Sequence, residues 1–363
     1  MAERKKFALL RDEVYSKISY HHRASVKAKA AKQKLKSVHG GYAITDQEYE
    51  KVKEFWRPYG VIPQKYWFKL FWDGKDTHDP RYIPDDMWVR DILPYFNNLM
   101  WGRAYADKCA YDRIFPYLNR PRTIAKNSCG HFYDGNQNVI SKEEAISLCL
   151  KEERFIVKFA TFSYGGKDVQ VFERGEINEE TVNKLFDEYR INFVIQALVD
   201  QHDKMARLNP TSLNTIRIIS FFFREDVYIL SSLLRIGGEG ARVDNYASNG
   251  YACNINPNGS LSERAVNYLG WTTHHPRGYD FKDIVIPNYD KVIQIVNEEA
   301  SKLPQLGIIG WDFGVDKNGD PIFIELNISP GQNQRSGEPT FGDLTEKVLH
   351  DVFVEKSLNG AFS

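Results

Sequence analysis

The segment GWDFGVDKNGDPIFIELN, residues 310–327, constrains the fold of this chain more than any other. Two apolar runs flank its DKNGD turn, a pattern that predicts a β-hairpin with a buried face. Because side chains alternate along a strand, Glu325 and Asn327 share one face. Asp312 on the facing strand falls approximately opposite Glu325, within one residue if a bulge intervenes. The sequence therefore predicts three oxygen-bearing side chains that converge on an otherwise apolar hairpin.

The chemistry of these three side chains suggests a metal site. Facing carboxylates repel each other across adjacent strands, and such pairs usually persist because a cation lies between them. Carboxylate and amide oxygens suit a hard divalent ion, and Mg²⁺ takes a few carboxylates and completes its coordination with substrate phosphates. Asp312, Glu325 and Asn327 are therefore candidate ligands of Mg²⁺, with Mn²⁺ as an alternative ion. A hairpin with ordinary solvated acids is the other interpretation of this spacing taken alone.

The composition is that of a globular chain with two or three packed lobes. Its 363 residues are 42% hydrophobic with 22 Phe and 20 Tyr, which is enough to bury a large core. Lys plus Arg equals Asp plus Glu at 48 each, so whole-chain charge predicts no affinity for nucleic acid. The sequence has no run of 18 apolar residues, no signal-peptide core and no CxxC pair among its four cysteines. We expect a cytoplasmic protein with reduced, mostly buried thiols.

Residues 1–40 are strongly basic, with 11 Lys and Arg against Glu3, Asp12 and Glu13. The segment has helix-forming composition but little apolar periodicity, which predicts a solvated helix followed by a Gly-Gly break. Its clustered lysines would also suit an anionic membrane surface or an acidic partner. The sequence leaves both roles open.

Local patterns divide the remaining chain into a small lid lobe, an α/β lobe and an antiparallel lobe. Residues 45–100 combine a helix capped by Thr45 with aromatic, proline-broken loops, so we group residues 1–100 as a helical and basic N-terminal region with a lid. Residues 101–195 contain the strands RTIAKN and RFIVKFA and the helix SKEEAISLCLKEE with a capping box. Residues 196–363 contain the strands TIRIISFFF, VYILSSLLRI and YACNI, the helix NYDKVIQIVNEEASKLP and the hairpin.

Five segments in a fixed order resemble one known family. They are YADKCAYDRIF, FIVKFATFSYGGKDV, IQALVDQHDKMARLNPTSLNTIRI, LLRIGGEGARVDNYASNGYACNINPNG and the hairpin with its continuation IELNISPG. Over about residues 85–355 the chain resembles the sugar-transfer associated ATP-grasp proteins, which are found with bacterial surface-polysaccharide genes. The resemblance implies an α+β ATP-grasp fold, in which a nucleotide-binding α/β lobe and a C-terminal lobe with an antiparallel sheet clasp ATP between them.

The resemblance also implies which residues contact the nucleotide. The phosphate-contacting residues would be Lys108, Lys158 and the loop Ser163, Tyr164, Gly165 and Gly166. Successive glycines let backbone N–H groups approach phosphate oxygens closely, although a plain turn beside a surface lysine is the other interpretation of this motif. The residues around adenine and ribose would be Gln196, Ala197 and Leu198 at the hinge, with His202 or Asp203 reaching the ribose hydroxyls.

Two arginines are candidate catalytic residues. Arg217 and Arg235 each interrupt an apolar strand, and burying a guanidinium without an anion is costly. We expect Arg217 to meet the γ-phosphate or an acyl-phosphate, and Arg235 the same group or a substrate carboxylate. Pairing of both arginines with core carboxylates is the alternative.

Substrate contacts are predicted in two further segments. The stretch ARVDNYASNGYACNI has Asn249-Gly250 where family members often show a pair of glycines, which puts its substrate contacts in doubt but not its turn. The tail NISPGQN resembles the corresponding segment of amino-acid ligases. The candidate substrate residues are Asn245, Asn249, Ser329 and Gly331. His274 and His275 face opposite ways on an extended chain, so we expect a structural or substrate-adjacent role for them.

The function expected from these features is that of an ATP- and Mg²⁺-dependent ligase. A small-molecule carboxylate would form an acyl-phosphate, and an amine or sugar-linked acceptor would displace the phosphate, in the synthesis or modification of a surface polysaccharide. Such chemistry needs alignment and charge neutralisation more than a side-chain nucleophile. A kinase for a sugar or polyol and a non-catalytic ATP-binding scaffold are the alternatives. The basic N-terminal segment would then associate with a membrane or a glycosyltransferase.

Overall fold

The computed structural model of the chain describes residues 2–37, 41–161, 169–241, 250–267, 270–334 and 337–355, with side chains in the first helix described from Lys17 to Lys36. The helices are α1 (Ala2–Ser37), α2 (Asp46–Trp56), α3 (Lys65–Phe71), α4 (Asp85–Met87), α5 (Leu93–Phe96), α6 (Leu99–Gly102), α7 (Tyr111–Ile114), α8 (Lys142–Leu150), α9 (Glu179–Tyr189), α10 (Asp203–Ala206), α11 (Tyr289–Ala300) and α12 (Thr345–Leu349). The strands are β1 (Thr123–Ser128), β2 (His131–Asp134), β3 (Val139–Ile140), β4 (Arg154–Phe159), β5 (Val169–Glu173), β6 (Phe193–Ala197), β7 (Thr215–Phe223), β8 (Asp226–Ile236), β9 (Tyr251–Ile255), β10 (Leu261–Val266), β11 (Trp271–Thr272), β12 (His274–His275), β13 (Tyr279–Asp280), β14 (Ile308–Val315) and β15 (Pro321–Asn327). The mixed α+β class expected from the sequence is confirmed.

The first sheet has six strands in the order β3-β2-β1-β6-β4-β5, and its described pairs are antiparallel. Helices α8 and α9 share a core with it, in which Phe155 and Phe193 of the sheet are buried with Phe186 of α9. The predicted capping box at the start of α8 is confirmed, because the Ser141 hydroxyl accepts a hydrogen bond from the Glu144 backbone N–H. Strand β6 runs to Ala197, so the domain boundary expected at residue 196 cuts this strand.

The second sheet has seven strands in the order β11-β10-β9-β8-β7-β14-β15, as the antiparallel pattern of the sequence predicts. Its central strands β7 and β14 are apolar on both faces. Ile216 and Trp311 share a core with α11, whereas Phe221 and Ile308 face the N-terminal helices. Arg217 and Asp312 pair directly across β7 and β14. By strand alternation Asp312 lies on the face of Ile308, the face toward the N-terminal helices.

Residues 45–100 do not form the separate lid expected from the sequence. They share one core with the second sheet, in which the ring of Phe96 meets the ring of Phe221 edge to face at 4.8 Å. The predicted N-cap at Thr45 is confirmed, and it forms a capping box with Glu48. The aromatic residues that suggested a lid lobe instead bury one face of a sheet, since an apolar sheet face needs a covering layer.

Helix α1 is confirmed as a helix, but the expectation that it is solvated is wrong for one of its faces. Ala24 and Ala31 are buried in the core shared with the helical region and the second sheet. Small side chains let the helix approach its neighbours closely, so packing is achieved without the apolar periodicity that would have signalled it. After the helix, Gly41 has a φ of 68°, and a Cβ at this position would lie 2.5 Å from the backbone oxygen of Lys69.

The segment that follows the hairpin is fastened to the helical region. Trp88 Nε1–H donates to the Pro330 carbonyl over 2.8 Å. Gln332 Nε2–H donates to Asp85 Oδ1, also over 2.8 Å.

Three of the four cysteines are buried, and none is in a disulfide. In the described part of the chain, no helix combines the length and apolar character required to span a membrane.

Candidate active site

A cavity of about 870 Å³ receives residues from both sheets, a volume typical of small-molecule sites. Ala197 and Leu198, which end and follow β6, contribute to its lining, and so do Ser329 and Gly331 after β15. Six ionisable side chains in the lining form one charged cluster. They are Lys108, Lys158, Arg217, Arg235, Asp312 and Glu325.

Asp312 is the centre of this charged cluster and is only 1% exposed. Arg217 Nη2–H donates to Asp312 Oδ2 over 2.7 Å, and Arg217 Nε–H donates to Oδ1. Arg235 Nη2–H donates to the same Oδ2 over 2.9 Å and to the Thr215 hydroxyl over 2.8 Å. Burial acts to raise the pKa of Asp312, but the charges of Arg217 and Arg235 outweigh it and lower the pKa to about 2. Asp312 is therefore ionised throughout the physiological pH range.

Two lysines surround the second carboxylate. Lys108 Nζ lies 2.9 Å from Glu325 Oε2, and the two side chains are 8% and 24% exposed. Lys158 is 7% exposed, and burial together with the charge of Lys108 lowers its pKa from 10.5 to about 8. Four basic side chains of this cluster thus face two carboxylates, Asp312 and Glu325, a local excess of two positive charges. One further basic and two further acidic residues elsewhere in the described lining reduce the excess for the whole cavity to one. Such a cluster attracts a polyanion.

The hairpin register is confirmed, since Asp312 pairs directly with Glu325 and a bulge follows before Phe313 pairs with Phe323. Arg217 and Arg235 pair with Asp312, and Lys108 pairs with Glu325, so basic side chains already offset the repulsion between these carboxylates. A metal ion held by Asp312, Glu325 and Asn327 stays a prediction. For Arg217 and Arg235, the alternative of pairing with a core carboxylate is what the structure has. Their contact with a phosphate stays a prediction.

The oxygen donors of the hairpin fit a hard cation. A carboxylate offers about four acceptor positions, and three N–H contacts occupy Asp312, so one position remains. Glu325 accepts from Lys108 and has further lone pairs. Asn327 lines the cavity, and its buried amide nitrogen lacks a hydrogen-bond partner within the described structure. An N–H donor left unpaired in this way suits an acceptor such as a phosphate oxygen, whereas the amide oxygen of the same side chain is the atom that could bind a cation.

Only some of the residues predicted around adenine and ribose line the cavity, in contrast to those of the charged cluster. Ala197 and Leu198 line the cavity, but Gln196 does not, and its buried side-chain amide donates to the Pro121 carbonyl. His202 and Asp203 are also outside the lining. The ring of His202 instead caps α10 by accepting from the Lys204 backbone N–H, and Asp203 is the first residue of that helix.

Asp200, rather than His202 or Asp203, lines the cavity after the end of β6. It forms an ion pair with Arg154, which also lines the cavity. The sequence contained a signal for it, because Asp200 is the first acidic residue after the end of β6.

A comparison with known families identifies the chain. The family model described as sugar-transfer associated ATP-grasp matches residues 103–336. The chain belongs to this family. Its α+β fold is therefore the ATP-grasp fold, as the sequence resemblance implied. No curated protein matches the chain.

Solved structures show a distant likeness to this ATP-grasp protein. D-cycloserine synthetase DcsG is 15% identical with a TM-score of 0.41, over 68% of this chain and 71% of that chain. The ATP-grasp ligase PsnB, complexed with precursor peptide PsnA2 and AMPPNP, is 12% identical with a TM-score of 0.42, over 73% and 67%. The L-amino acid ligase from Bacillus licheniformis is 15% identical with a TM-score of 0.39, over 69% and 48%. The chain spans about half the length of this last protein and of the N5-carboxyaminoimidazole ribonucleotide synthetase purK.

The remaining predicted residues divide into two groups. Ser163, Tyr164, Gly165, Gly166, Asn245 and Asn249 lie outside the described residues. Ser329 and Gly331 line the cavity, and Ser329 Oγ accepts a hydrogen bond from Arg23 Nη2–H over 2.6 Å. Sequence reasoning missed Arg23, because nothing in α1 marks one basic residue among many as different.

The adjacent histidines are structural. His274 is exposed and pairs with Asp280, whereas His275 is buried against the rings of Tyr251 and Phe281, so the expected opposite facing is confirmed. Burial lowers the pKa of His275 to about 4. Neither histidine lines the cavity.

Proposed function

We propose that this protein is an ATP-dependent ligase that joins a small-molecule carboxylate to an amine or sugar-linked acceptor. The observation that carries the proposal is the cluster of Lys108, Lys158, Arg217 and Arg235 around Asp312 and Glu325 in the cavity lined by residues of both sheets. An excess of two positive charges suits a nucleotide triphosphate and the charge that develops during phosphoryl transfer.

The nucleotide would lie between the end of β6 and the charged cluster. The apolar edge at Ala197 and Leu198 suits a purine, and the carboxylate of Asp200 would accept from the ribose hydroxyls. Lys108 and Lys158 would then bind the phosphates. Lys158 has a lowered pKa because burial in a basic surrounding disfavours its charge, and an arriving phosphate would restore that charge.

The reaction has two displacements. An oxygen of the donor carboxylate attacks the γ-phosphorus, ADP leaves, and an acyl-phosphate results. The acceptor nitrogen or oxygen then attacks the acyl carbon, inorganic phosphate leaves, and the nucleophile loses its proton. Arg217 and Arg235 would stabilise the charge on the transferred group, and Asp312 holds both guanidinium groups in place until then.

Glu325 and Asn327, with the free position of Asp312, would hold Mg²⁺, which would neutralise charge on the ATP phosphates. Two acidic residues beside two lysines fit this role because Mg²⁺ is bound through one or two carboxylates plus phosphate oxygens. The description of the family as sugar-transfer associated supports an acceptor linked to a sugar and a role in surface-polysaccharide synthesis.

Mass spectrometry of the products tests this proposal. The protein is incubated with ATP, Mg²⁺, a panel of amino acids and other carboxylates, and sugar intermediates that carry amines. A product heavier than the acceptor by the carboxylate minus water is expected. An acceptor that gains one phosphate would identify a kinase instead, and ATP consumption with no modified product would leave only an ATP-binding scaffold. The Lys158→Met variant, which lacks a proposed phosphate contact, serves as the inactive control.

A further inference from the structure

The N-terminal helix reaches the cavity through one arginine. Arg23 of α1 donates from Nη2–H to Ser329 Oγ over 2.6 Å, and Ser329 lines the cavity next to Gly331. Arg23 lies outside residues 103–336, which match the family model. A residue from outside the match to the family model thus contacts the lining of the cavity through Ser329.

A second arginine approaches the same place. Arg103 begins the short helical turn Arg103–Ala106, which packs against strand β15, and a Cβ on the preceding Gly102 would lie 3.9 Å from Ile328, the residue that follows β15. On α1, Tyr20 lies about one turn before Arg23, and its phenol is within electrostatic reach of both guanidinium groups. Helix α1 and the start of the family segment therefore bring two positive charges to the end of β15.

The polar groups at this place are mostly donors. Neither Arg23 nor Arg103 forms an ion pair with a carboxylate in the parts of the chain that the structure describes. The amide nitrogen of Asn327, two residues before Ser329, is buried and has no described partner. Guanidinium groups only donate, and the hydroxyl of Ser329 keeps its proton for a further bond while it accepts from Arg23. The complement of such a set is an anion.

We propose that Arg23, Arg103 and Ser329 form a subsite for an anionic group, a phosphate or a carboxylate, on the acceptor substrate. The assignment of this anionic group to an acceptor rests on the proposed ligase function, whereas the binding of an anion is inferred from the geometry alone. Guanidinium groups bind phosphate and carboxylate oxygens through paired N–H donors. Strand β15 ends at Asn327, and Ser329 lies beyond that end, four residues after the proposed metal ligand Glu325. The anionic group would therefore sit apart from the reacting atoms and orient the acceptor.

Calorimetric titration tests the subsite with defined probes. The nucleotide site is first filled with AMPPNP and Mg²⁺, and the protein is then titrated with glycerol 3-phosphate, succinate or neutral glycerol. We expect one or both anions to bind and glycerol not to bind. The better of the two anions identifies the group as phosphate or carboxylate.

Four variants locate the binding. Arg103→Gln and Arg23→Gln should each weaken binding of the anion about tenfold or more, the effect of losing one charge-assisted contact. Arg23→Lys, which keeps the positive charge but not the paired N–H donors of the guanidinium group, should restore part of the affinity. Lys29→Gln, on the exposed side of α1, should leave the affinity unchanged. Because Arg103 is exposed, its variant should keep the melting temperature of the wild type even if Arg23→Gln loosens α1.

Anion binding that is unchanged in Arg103→Gln and Arg23→Gln would overturn the subsite, and so would equal binding of glycerol and glycerol 3-phosphate. The titrations are repeated without nucleotide. If AMPPNP does not bind but arginine-dependent anion binding persists, the proposed ligase function fails while the subsite stands. If AMPPNP binds and no anion does, the subsite fails while the nucleotide site stands.

Discussion

Asp312→Asn is expected to destabilise the protein, because it removes the negative charge that holds two arginines. Burial acts to raise the pKa of Asp312, yet Arg217 and Arg235 lower it from 3.8 to about 2. One pKa unit corresponds to about 1.4 kcal/mol, so the ionised carboxylate contributes roughly 2–3 kcal/mol to the free energy of unfolding at neutral pH. Removing one partner of a buried ion pair costs about 3–5 kcal/mol in other proteins, so we expect a loss of about 3 kcal/mol.

The pH dependence of this loss distinguishes the charge from other effects of the substitution. Because the pKa of Asp312 is lowered on folding, its stabilisation is complete above the unfolded pKa near 4 and disappears as the pH falls through about 2. Urea unfolding of wild type and Asp312→Asn should therefore give a constant difference between about pH 7 and pH 5 and a smaller one toward pH 3.

The hairpin offers a matched control. Asp320 forms an ion pair with Lys291 over 3.0 Å, but both side chains are 51% exposed, so Asp320→Asn should cost less than about 1 kcal/mol. If Asp312→Asn unfolds at the same urea concentration as Asp320→Asn at neutral pH, the account of Asp312 as the anchor of two arginines is refuted.

The other predictions concern the nucleotide, the metal and the facing of β15. ATP with Mg²⁺ should raise the melting temperature more than ATP alone, and equal shifts would argue against a shared metal–phosphate site. Lys158 has its pKa lowered to about 8 by burial and by Lys108, so ATP binding near pH 8.5 should be accompanied by proton uptake, detectable by calorimetry in two buffers and absent in Lys158→Met. Glu325→Gln should slow turnover by orders of magnitude and slightly lower stability, since Lys108 loses its partner. Leu326→Asp, at a position 4% exposed, should instead prevent folding of the lobe, and a well-folded variant would show that the facing is misassigned.

The parts of the fold that follow from local pattern could be predicted from the sequence. Strands with apolar runs, the N-caps at Thr45 and Ser141 and the register of Asp312 with Glu325 all depend on neighbours in the chain or on one tight turn. The packing of residues 45–100 could not be predicted in this way. It depends on which sheet face lacks a cover, and that is decided by strand order over more than two hundred residues.

In the candidate site, too, local sequence revealed some residues but not the contacts that depend on the arrangement of distant strands and helices. The strand residues Arg217 and Asp312 were found because a charge inside an apolar strand is conspicuous, but their mutual pairing required the order of β7 and β14. His202 was misplaced because a loop residue has no periodicity that fixes its direction. Arg23 was missed because its contact with Ser329 joins residues 306 positions apart.

The central claim, that a carboxylate is activated by transfer of the γ-phosphate, can be measured without knowledge of the acceptor. Carboxylates labelled with ¹⁸O are supplied with ATP, Mg²⁺ and hydroxylamine, which attacks an acyl-phosphate and releases phosphate. The account predicts that ADP forms together with a hydroxamate, and that the released phosphate carries one ¹⁸O from the carboxylate. Phosphate that forms without label, by attack of water on ATP, would contradict it.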